Sequence, residues 1–527
     1  MTTQFNTITS KRAIYYHTSW SNYARNFQVK DIPEDVMDIS YAFWDVKSDG
    51  SIVTLDSWAD TDKRYVASGV EPLDNWNDTK SVFFGNFGQF KKLLDSGKKL
   101  NITLSLGGWT NSKFFSDMVS KEVSRTKFVN SLIDIFKKYP IFNGVSIDWE
   151  YLSDDGINYG NSGNIVSKDD SKNFIFLLKQ LKTELKTNNM GHYTIAMCCT
   201  AAPEKCKFNV EQVHPLIDQL HVMTYDFCDG NWGDKIAAFH TNPRKSSFGK
   251  WSCEEAADYY LSRGVPSTKI YIGAAFYSRG FSNTDGPGKS ANGGSPDMSW
   301  EKGILDYKDL PQIGASEFID KESKACYSYD PVKKILNSYD NKESIIEKCK
   351  IVYEKNLGGI IIWENSGDVK NYKDPRCLTR VLKDNLTHGY PEFKSYIKPP
   401  IVSQPTLISP LPSIHLIPNS QVPTVQPVFQ SISAIVSQPT LISPLPSIHP
   451  IPISQVPTVQ PVVQSIPAIV DIKPEPEIPI LTQIPISLNN VCNCCEKCIC
   501  KNLNGLKITL DVDVTNKKVV NNKVEYK

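Results

Sequence analysis

The chain has 527 residues, with 58 Lys and Arg against 57 Asp and Glu, for a formal net charge of +1. That balance excludes a broadly basic nucleic-acid binder and an acidic disordered chain. Hydrophobic residues make up 40% and aromatics 11%, enough for a large core, yet 20 of the 33 prolines fall between Pro399 and Pro485. Two different kinds of polypeptide are therefore joined in one chain, and the length suggests roughly three units.

The chain opens MTTQFNTITSKRAIYYH, with no basic region followed by an apolar one. No classical signal peptide is expected there. No uninterrupted apolar stretch reaches about 18 residues, so no membrane span is expected either. Residues 1–395 read as globular. Short β-branched runs alternate with segments of helical period, the βα pattern of a parallel sheet. Eight strands are predicted: Arg12–Tyr16, Asp38–Phe43, Asn101–Leu106, Gly144–Trp149, Tyr193–Cys199, Gln219–Thr224, Lys269–Ala275 and Gly359–Trp363. Between them, Thr126–Tyr139 places Phe128, Leu132, Ile135 and Phe136 on one helical face. Asp169–Thr187 does the same with Phe174, Leu177, Leu178, Leu181 and Leu185. Eight βα units predict an α/β fold of the (β/α)8 TIM-barrel type. The link between the seventh and eighth strands is too long for a simple crossover. It carries Gly-Pro-Gly and Gly-Gly turns, then YSYD and a helical SIIEKCKIVYEK. A small inserted subdomain is expected at about 278–345.

Residues 396–490 form a proline-rich linker. From Pro399 to Val470 there is no Lys, Arg, Asp, Glu or Gly. Residues 401–434 recur at 435–468 with four differences, a direct repeat of period 34. A proline every few residues forbids helices, and polyproline II geometry predicts a semi-rigid stalk. The tail, 491–527, opens with Cys492, Cys494, Cys495, Cys498 and Cys500. Structural zinc needs a second ligand pair downstream, and none exists, so disulfides are expected, including inter-chain ones given the odd count. Leu506, Ile508, Leu510, Val512 and Val514 alternate with polar residues and predict a strand, with TNKK turning into VVNNKVEY. The other eight cysteines, Cys198 to Cys377, are expected as buried thiols or one or two disulfides.

The chemistry is written most densely in NGVSIDWEY, 143–151. Alternation along a strand points Ser146, Asp148 and Glu150 the same way, inward in a barrel. Glu150 lies at the C-terminal end, where barrel active sites form. Two neighbouring carboxylates repel when both ionised, so one should hold a proton near neutral pH and serve as a general acid. Other strand ends converge there: SLGGWT with Trp109, MTYDF with Met223, Tyr225 and Asp226, FYSRG with Tyr277 and Arg279, and IIIWENSGD with Trp363. Aromatic faces with a few acids suit sugar rings.

SLGGW, the DWE strand, MTYDF, YAFWDV at 41–46 and the Trp at the eighth strand together resemble glycoside hydrolase family 18 chitinases, over about residues 11–375. The long insertion resembles the α+β subdomain of one branch of that family. The resemblance implies hydrolysis of β-1,4-linked N-acetylglucosamine polymers with chitin or chito-oligosaccharides as partners and no cofactor, metal or nucleic acid. It implies that Glu150 is general acid and then base, and that the substrate's own acetamide oxygen is the nucleophile, with retention of configuration. Asp148 would hold the acetamide N–H, Tyr225 its oxygen, Asp226 the nearby sugar, and Trp363 would form the floor. Trp109, Met223, Tyr277, Arg279, Tyr151, Phe43 and Tyr16 complete the expected substrate-binding set. The family pattern DxxDxDxE reads Asn143, Ser146, Asp148, Glu150 here, so its first two acids are absent. Ser146 is expected to hydrogen-bond Asp148 without ionising, and Asn143 to be a structural change at the strand's start. A non-catalytic chitin-binding lectin, which typically loses the terminal Glu, an endo-β-N-acetylglucosaminidase acting on N-glycans, and a surface protein displaying its tail on the stalk are the competing readings. Family analogy places the protein outside the cell or on a virion or other surface.

Overall fold

The β-branched runs of the first 365 residues extend into strands because their alternate side chains find two different apolar environments. The computed structural model describes residues 11–66, 73–75, 77, 83–154, 156–157, 163–387, 497–501, 506–513 and 518–526. The strands are β1 (Arg12–Thr18), β2 (Asp38–Val46), β3 (Ile52–Thr54), β4 (Asn101–Gly107), β5 (Gly144–Asp148), β6 (Thr194–Thr200), β7 (Gln219–Met223), β8 (Ile270–Ala275), β9 (Arg279–Phe281), β10 (Ser316–Ile319), β11 (Cys326–Asp330), β12 (Ile335–Tyr339) and β13 (Gly359–Trp363). Eight of them pair in parallel, in the order β1-β13-β8-β7-β6-β5-β4-β2, and β2 returns to β1. That closure makes the predicted (β/α)8 barrel and removes every sheet edge except the one capped by β3.

The helices are α1 (Gly85–Asp95), α2 (Phe115–Ser120), α3 (Glu122–Lys138), α4 (Asp170–Thr187), α5 (Val210–Val213), α6 (Cys253–Ser262), α7 (Lys342–Glu354) and α8 (Leu378–Leu382). Alternation decides the layers. Ala13, Tyr15, Ile360 and Ile362 face outward into the core shared with Leu132, Phe136, Leu177 and Leu181 of the helices. Ile14, Tyr16, Ile361 and Trp363 face inward, with Phe43 and Cys198. Truncating a fully buried helix residue such as Leu132 to Ala should cost about 2–5 kcal/mol. Ser252 caps α6 by accepting the Glu255 amide at 3.2 Å. Asn341 caps α7 by accepting from Glu343 and Ser344.

Between β8 and β13, β9 to β12 form an antiparallel sheet of order β10-β11-β12-β9. The helix expected to belong to this insertion does not. As α7 it packs on β8 and β13 and completes the barrel's helical ring. Its apolar face, Ile345, Cys349 and Val352, is what the barrel's outer surface needs. All eight cysteines from Cys198 to Cys377 are buried free thiols, which removes the disulfide option for that set.

The chain divides into two units at Ser409 and Pro410. In the second, β14 (Lys497–Lys501), β15 (Leu506–Asp513) and β16 (Lys518–Tyr526) form an antiparallel sheet with β15 central. Cys498 stands opposite Leu510 and Cys500 opposite Ile508. The proline-rich linker with its repeats, the TNK of the TNKK turn, Val514, and Cys492, Cys494 and Cys495 lie outside the described residues. No helix among the described residues is long and apolar enough to cross a membrane.

Candidate active site

At the C-terminal end of β5 the pleat sorts side chains cleanly. Val145, Ile147 and Trp149 enter the outer core, where Trp149 stacks on Phe115 at 5.3 Å. Ser146 and Asp148 point into the barrel, and Asp148 is only 4% exposed. Glu150 follows, half-buried, where the strand ends. Its backbone is fixed from two sides: its amide donates to Ser112 Oγ at 2.8 Å, and Asn164 Nδ2 donates to its carbonyl at 2.8 Å. Gly107 stands opposite Asp148 in register with a φ of 103°. A side chain there would collide with the Asp148 carbonyl and the Phe115 ring.

Three carboxyls share this mouth. Burial raises the Asp148 pKa above the ordinary carboxylate range, opposed by the neighbouring Cys198 thiol. Burial raises Glu150 well above its usual value too, reinforced by the negative charges of Asp148 and Asp226. Asp226 goes the other way. Burial alone would raise it, but Arg279 and then His240 overcome this and hold it well below the usual range. Arg279 grips it with Nε on Oδ1 at 2.8 Å and Nη2 on Oδ2 at 3.0 Å. Tyr277 donates to Oδ1 at 2.7 Å. Asp226 itself adopts a left-handed φ of 58°, and its amide donates to His240 Nδ1 at 3.3 Å.

Arg279 and Tyr277 thus differ from the expectation of direct sugar ligands. The guanidinium is committed to Asp226 and, through Nη1, to Asp229 at 3.2 Å. The reason is electrostatic: a buried carboxylate without its cation would be too costly. Tyr16 and Phe43 are also too buried to meet a sugar, and pack beneath the floor instead. Ser146 departs from expectation as well. Its hydroxyl meets Tyr16 Oη at 3.3 Å and Cys198 Sγ at 3.7 Å, with no bond to Asp148. Tyr16 stands on β1 and Cys198 on β6, the strand paired with β5, whereas Asp148 lies further along the same strand as Ser146. Asn143 Oδ1 accepts the Ile102 amide at 3.0 Å at the far end of the barrel.

Trp363 lies at the centre of the mouth, half-buried and stacked on Phe43 at 5.5 Å and 21°. Met223 packs beside it. Tyr225 stands edge-on to Tyr277 at 6.2 Å. Gly273 on β8 makes its place, since a Cβ there would lie 2.7 Å from the Tyr225 ring. Trp109 is exposed, with Tyr151 edge-on at 6.3 Å. Four further exposed tryptophans among the described residues were not singled out in the sequence: Trp20 after β1, Trp58 after β3, Trp232 after β7 and Trp300 in the insertion. Their signal was position, a Trp soon after a strand end or within the inserted segment. Among the described residues, no group of three or more His, Cys, Asp or Glu is placed to hold a metal ion.

Comparison with known proteins agrees with this geometry. A family model described as Glycosyl hydrolases family 18 matches residues 12–368. Chitinase 1 of Aphanocladium album is 33% identical over 366 residues, covering 67% of this chain and 81% of that protein. Endochitinase 1 of Metarhizium robertsii is 32% identical over 377 residues, covering 69% and 84%. Among solved structures, the catalytic domain of psychrophilic chitinase B from Arthrobacter TAD20 superposes with a TM-score of 0.64 at 26% identity, covering 73% of this chain and 97% of that one.

Proposed function

The chain belongs to glycosyl hydrolase family 18 and is a chitinase, and on that premise we propose that it cleaves β-1,4-linked N-acetylglucosamine chains with retention, using the substrate's own acetamide as nucleophile. Glu150 donates its proton to the glycosidic oxygen as the bond breaks, and then takes one from the incoming water. Its raised pKa keeps that proton available at neutral pH. The acetamide carbonyl oxygen attacks the anomeric carbon from the opposite face and forms an oxazolinium ion. Asp148 accepts the acetamide N–H and offsets the positive charge of that ion. Tyr225 donates to the acetamide oxygen and orients it. Trp363 forms the apolar floor on which the distorted sugar rests. Arg279 and Tyr277 act one step back, by fixing Asp226 as an anion that contacts the sugar and keeps Glu150 protonated.

The observation that carries this reading is Asp148 Oδ1, which is buried with no hydrogen-bond partner among the described residues, beside a raised Glu150. An unsatisfied acceptor in that place is costly unless a substrate N–H completes it. The exposed tryptophans at several strand ends favour a linear polymer over a branched N-glycan, and the retained Glu150 opposes a lectin. A polymer substrate is met outside the producing cell, so we place the protein in an extracellular or surface-associated setting. Incubation of wild type and Glu150→Gln with chito-oligosaccharides tests the reading. Cleavage by the first alone supports it, and cleavage by neither moves the protein to the lectin class.

A further inference from the structure

Helix α7 turns an apolar face to the barrel, yet Lys348 on that helix is fully buried. A lysine is almost never buried without partners, and here the partners are complete. Its ammonium has three hydrogens and no acceptor. They go to Asp340 Oδ2 at 2.5 Å, Thr241 Oγ1 at 2.6 Å and the Gly273 carbonyl at 2.9 Å. Thr241 Oγ1 therefore accepts from the ammonium. Its single hydrogen goes to the Thr224 carbonyl at 2.9 Å rather than to Asp340 at 3.4 Å. The Thr224 hydroxyl accepts the Gly273 amide at 2.7 Å and donates to the Gly273 carbonyl at 3.0 Å. Asp340 is held in turn by the Ala275 amide at 2.8 Å and the Ser344 hydroxyl at 2.7 Å. Every one of these polar side chains is buried.

The place of this cluster gives it a use. The ladder between β7 and β8 runs only from Leu220–Ile270 to Val222–Ile272. The chain therefore leaves the sheet before it reaches Tyr225 and Asp226. Side chains replace the lost ladder at Thr224, whose carbonyl belongs to the peptide bond that begins Tyr225. Gly273 is the residue against which the Tyr225 ring lies, with no room between them for a methyl group. Lys348 thus holds the β8 carbonyl beside Tyr225 directly, and through Thr241 it holds the peptide that leads into Tyr225. A buried ion pair is weak evidence of stability, because apolar groups of similar volume often serve as well. What apolar groups do not supply is direction. We propose that Lys348, anchored by Asp340, is a positioning residue for the hydrolysis, setting the Tyr225 hydroxyl where the acetamide oxygen must meet it. This rests on the proposed role of Tyr225. Lys348 itself stands behind the strands, on the helix that packs on β8 and β13.

The test uses the full chain. Lys348→Met combined with Asp340→Asn removes the ammonium without leaving a carboxylate buried and unpaired. Thr241→Val breaks only the hydroxyl link at nearly constant shape, and Thr241→Ser keeps that hydroxyl. On chitohexaose, the double variant should lower kcat by about 10²-fold and Thr241→Val by about tenfold, with KM changed by less than about twofold. Thr241→Ser should keep the wild-type kcat. In a Tyr225→Phe background there is no hydroxyl to place, so the same changes should cost no more than about a further twofold. With 13Cζ-labelled tyrosine, the Tyr225 signal, assigned by its loss in Tyr225→Phe, should move in Thr241→Val and stay in Thr241→Ser. An unchanged kcat or an unmoved signal in Thr241→Val, an equal loss in both Thr241 variants, or the same fall with and without the Tyr225 hydroxyl overturns the proposal. Should the double variant unfold, the two Thr241 variants decide it. A signal that moves in a protein that cleaves nothing would contradict the chitinase mechanism and leave the hold on Tyr225 standing. Normal cleavage with an unmoved signal would do the reverse.

Discussion

The ends of β5 and β7 present carboxyls to the same mouth, and their side chains behave in opposite ways. At β5, Asp148 and Glu150 meet little that favours ionisation, and their pKa values rise. At β7, Asp226 is partly exposed and is gripped by Arg279 and Tyr277, and it stays an anion. Burial alone therefore does not decide protonation. The partner does. The site gains a division of labour: a fixed anion on one side raises the proton affinity of the acid on the other, and that acid is the one that must give its proton away.

Mutations break this contrast in graded ways. The largest effect is expected from Glu150→Gln, which removes the proton donor and should lower kcat on chito-oligosaccharides by about 10³–10⁴-fold, measured by chromatography of the products. Asp148→Asn keeps the shape but loses the charge opposite the oxazolinium ion. A fall in kcat of about 10²–10³-fold is expected, with KM changed much less.

The remaining effects concern stability and have opposite signs. Glu150 has a folded pKa raised above its unfolded value. Its unfolded form therefore releases the proton first as pH rises, and the folded state loses stability above about pH 4.3. Glu150→Gln should unfold at a higher temperature than wild type at pH 7, by the equivalent of about 1 kcal/mol, and equally at pH 4. Asp226 has a depressed folded pKa, so its stability is present above its unfolded value near pH 3.9 and is lost only as pH falls through the lower folded value. Arg279→Leu removes that contribution. It should be less stable than wild type at pH 7 by about 1 kcal/mol, discounted because the Asp226 side chain is 35% exposed, with the gap closing in strong acid. Thermal unfolding across pH measures both, and parallel curves for the two variants would contradict the contrast.

Much of this was legible in the sequence, and the limits have physical causes. The eight barrel strands were readable because parallel strands buried on both faces are nearly continuous Val, Ile and Leu runs. Their ends shifted by up to three residues: β2 was expected to end at Phe43 but runs to Val46, and Trp149 was expected in β5, but the strand ends at Asp148. The pair Asp148 and Glu150 was readable from period two alone. The strands β3 and β9 to β12 were not, because short antiparallel strands such as Ser316–Ile319, exposed throughout, lack the apolar signal. Arg279 and Tyr277 were found but assigned to the sugar, since a sequence does not reveal which carboxylate a cation meets. Cys198 was passed over as one thiol among eight. Parallel pairing of β6 with β5 and closure through β1 bring that thiol to Ser146 and Tyr16.

The central claim is that Glu150 and the substrate's acetamide together carry out a retaining hydrolysis. Proton NMR of the first products from chitohexaose tests it most directly, with wild type and Glu150→Gln followed side by side before the anomers equilibrate. The account predicts that wild type releases new reducing ends as the β-anomer and that Glu150→Gln releases essentially none. Release of the α-anomer by wild type, or undiminished cleavage by Glu150→Gln, would contradict it.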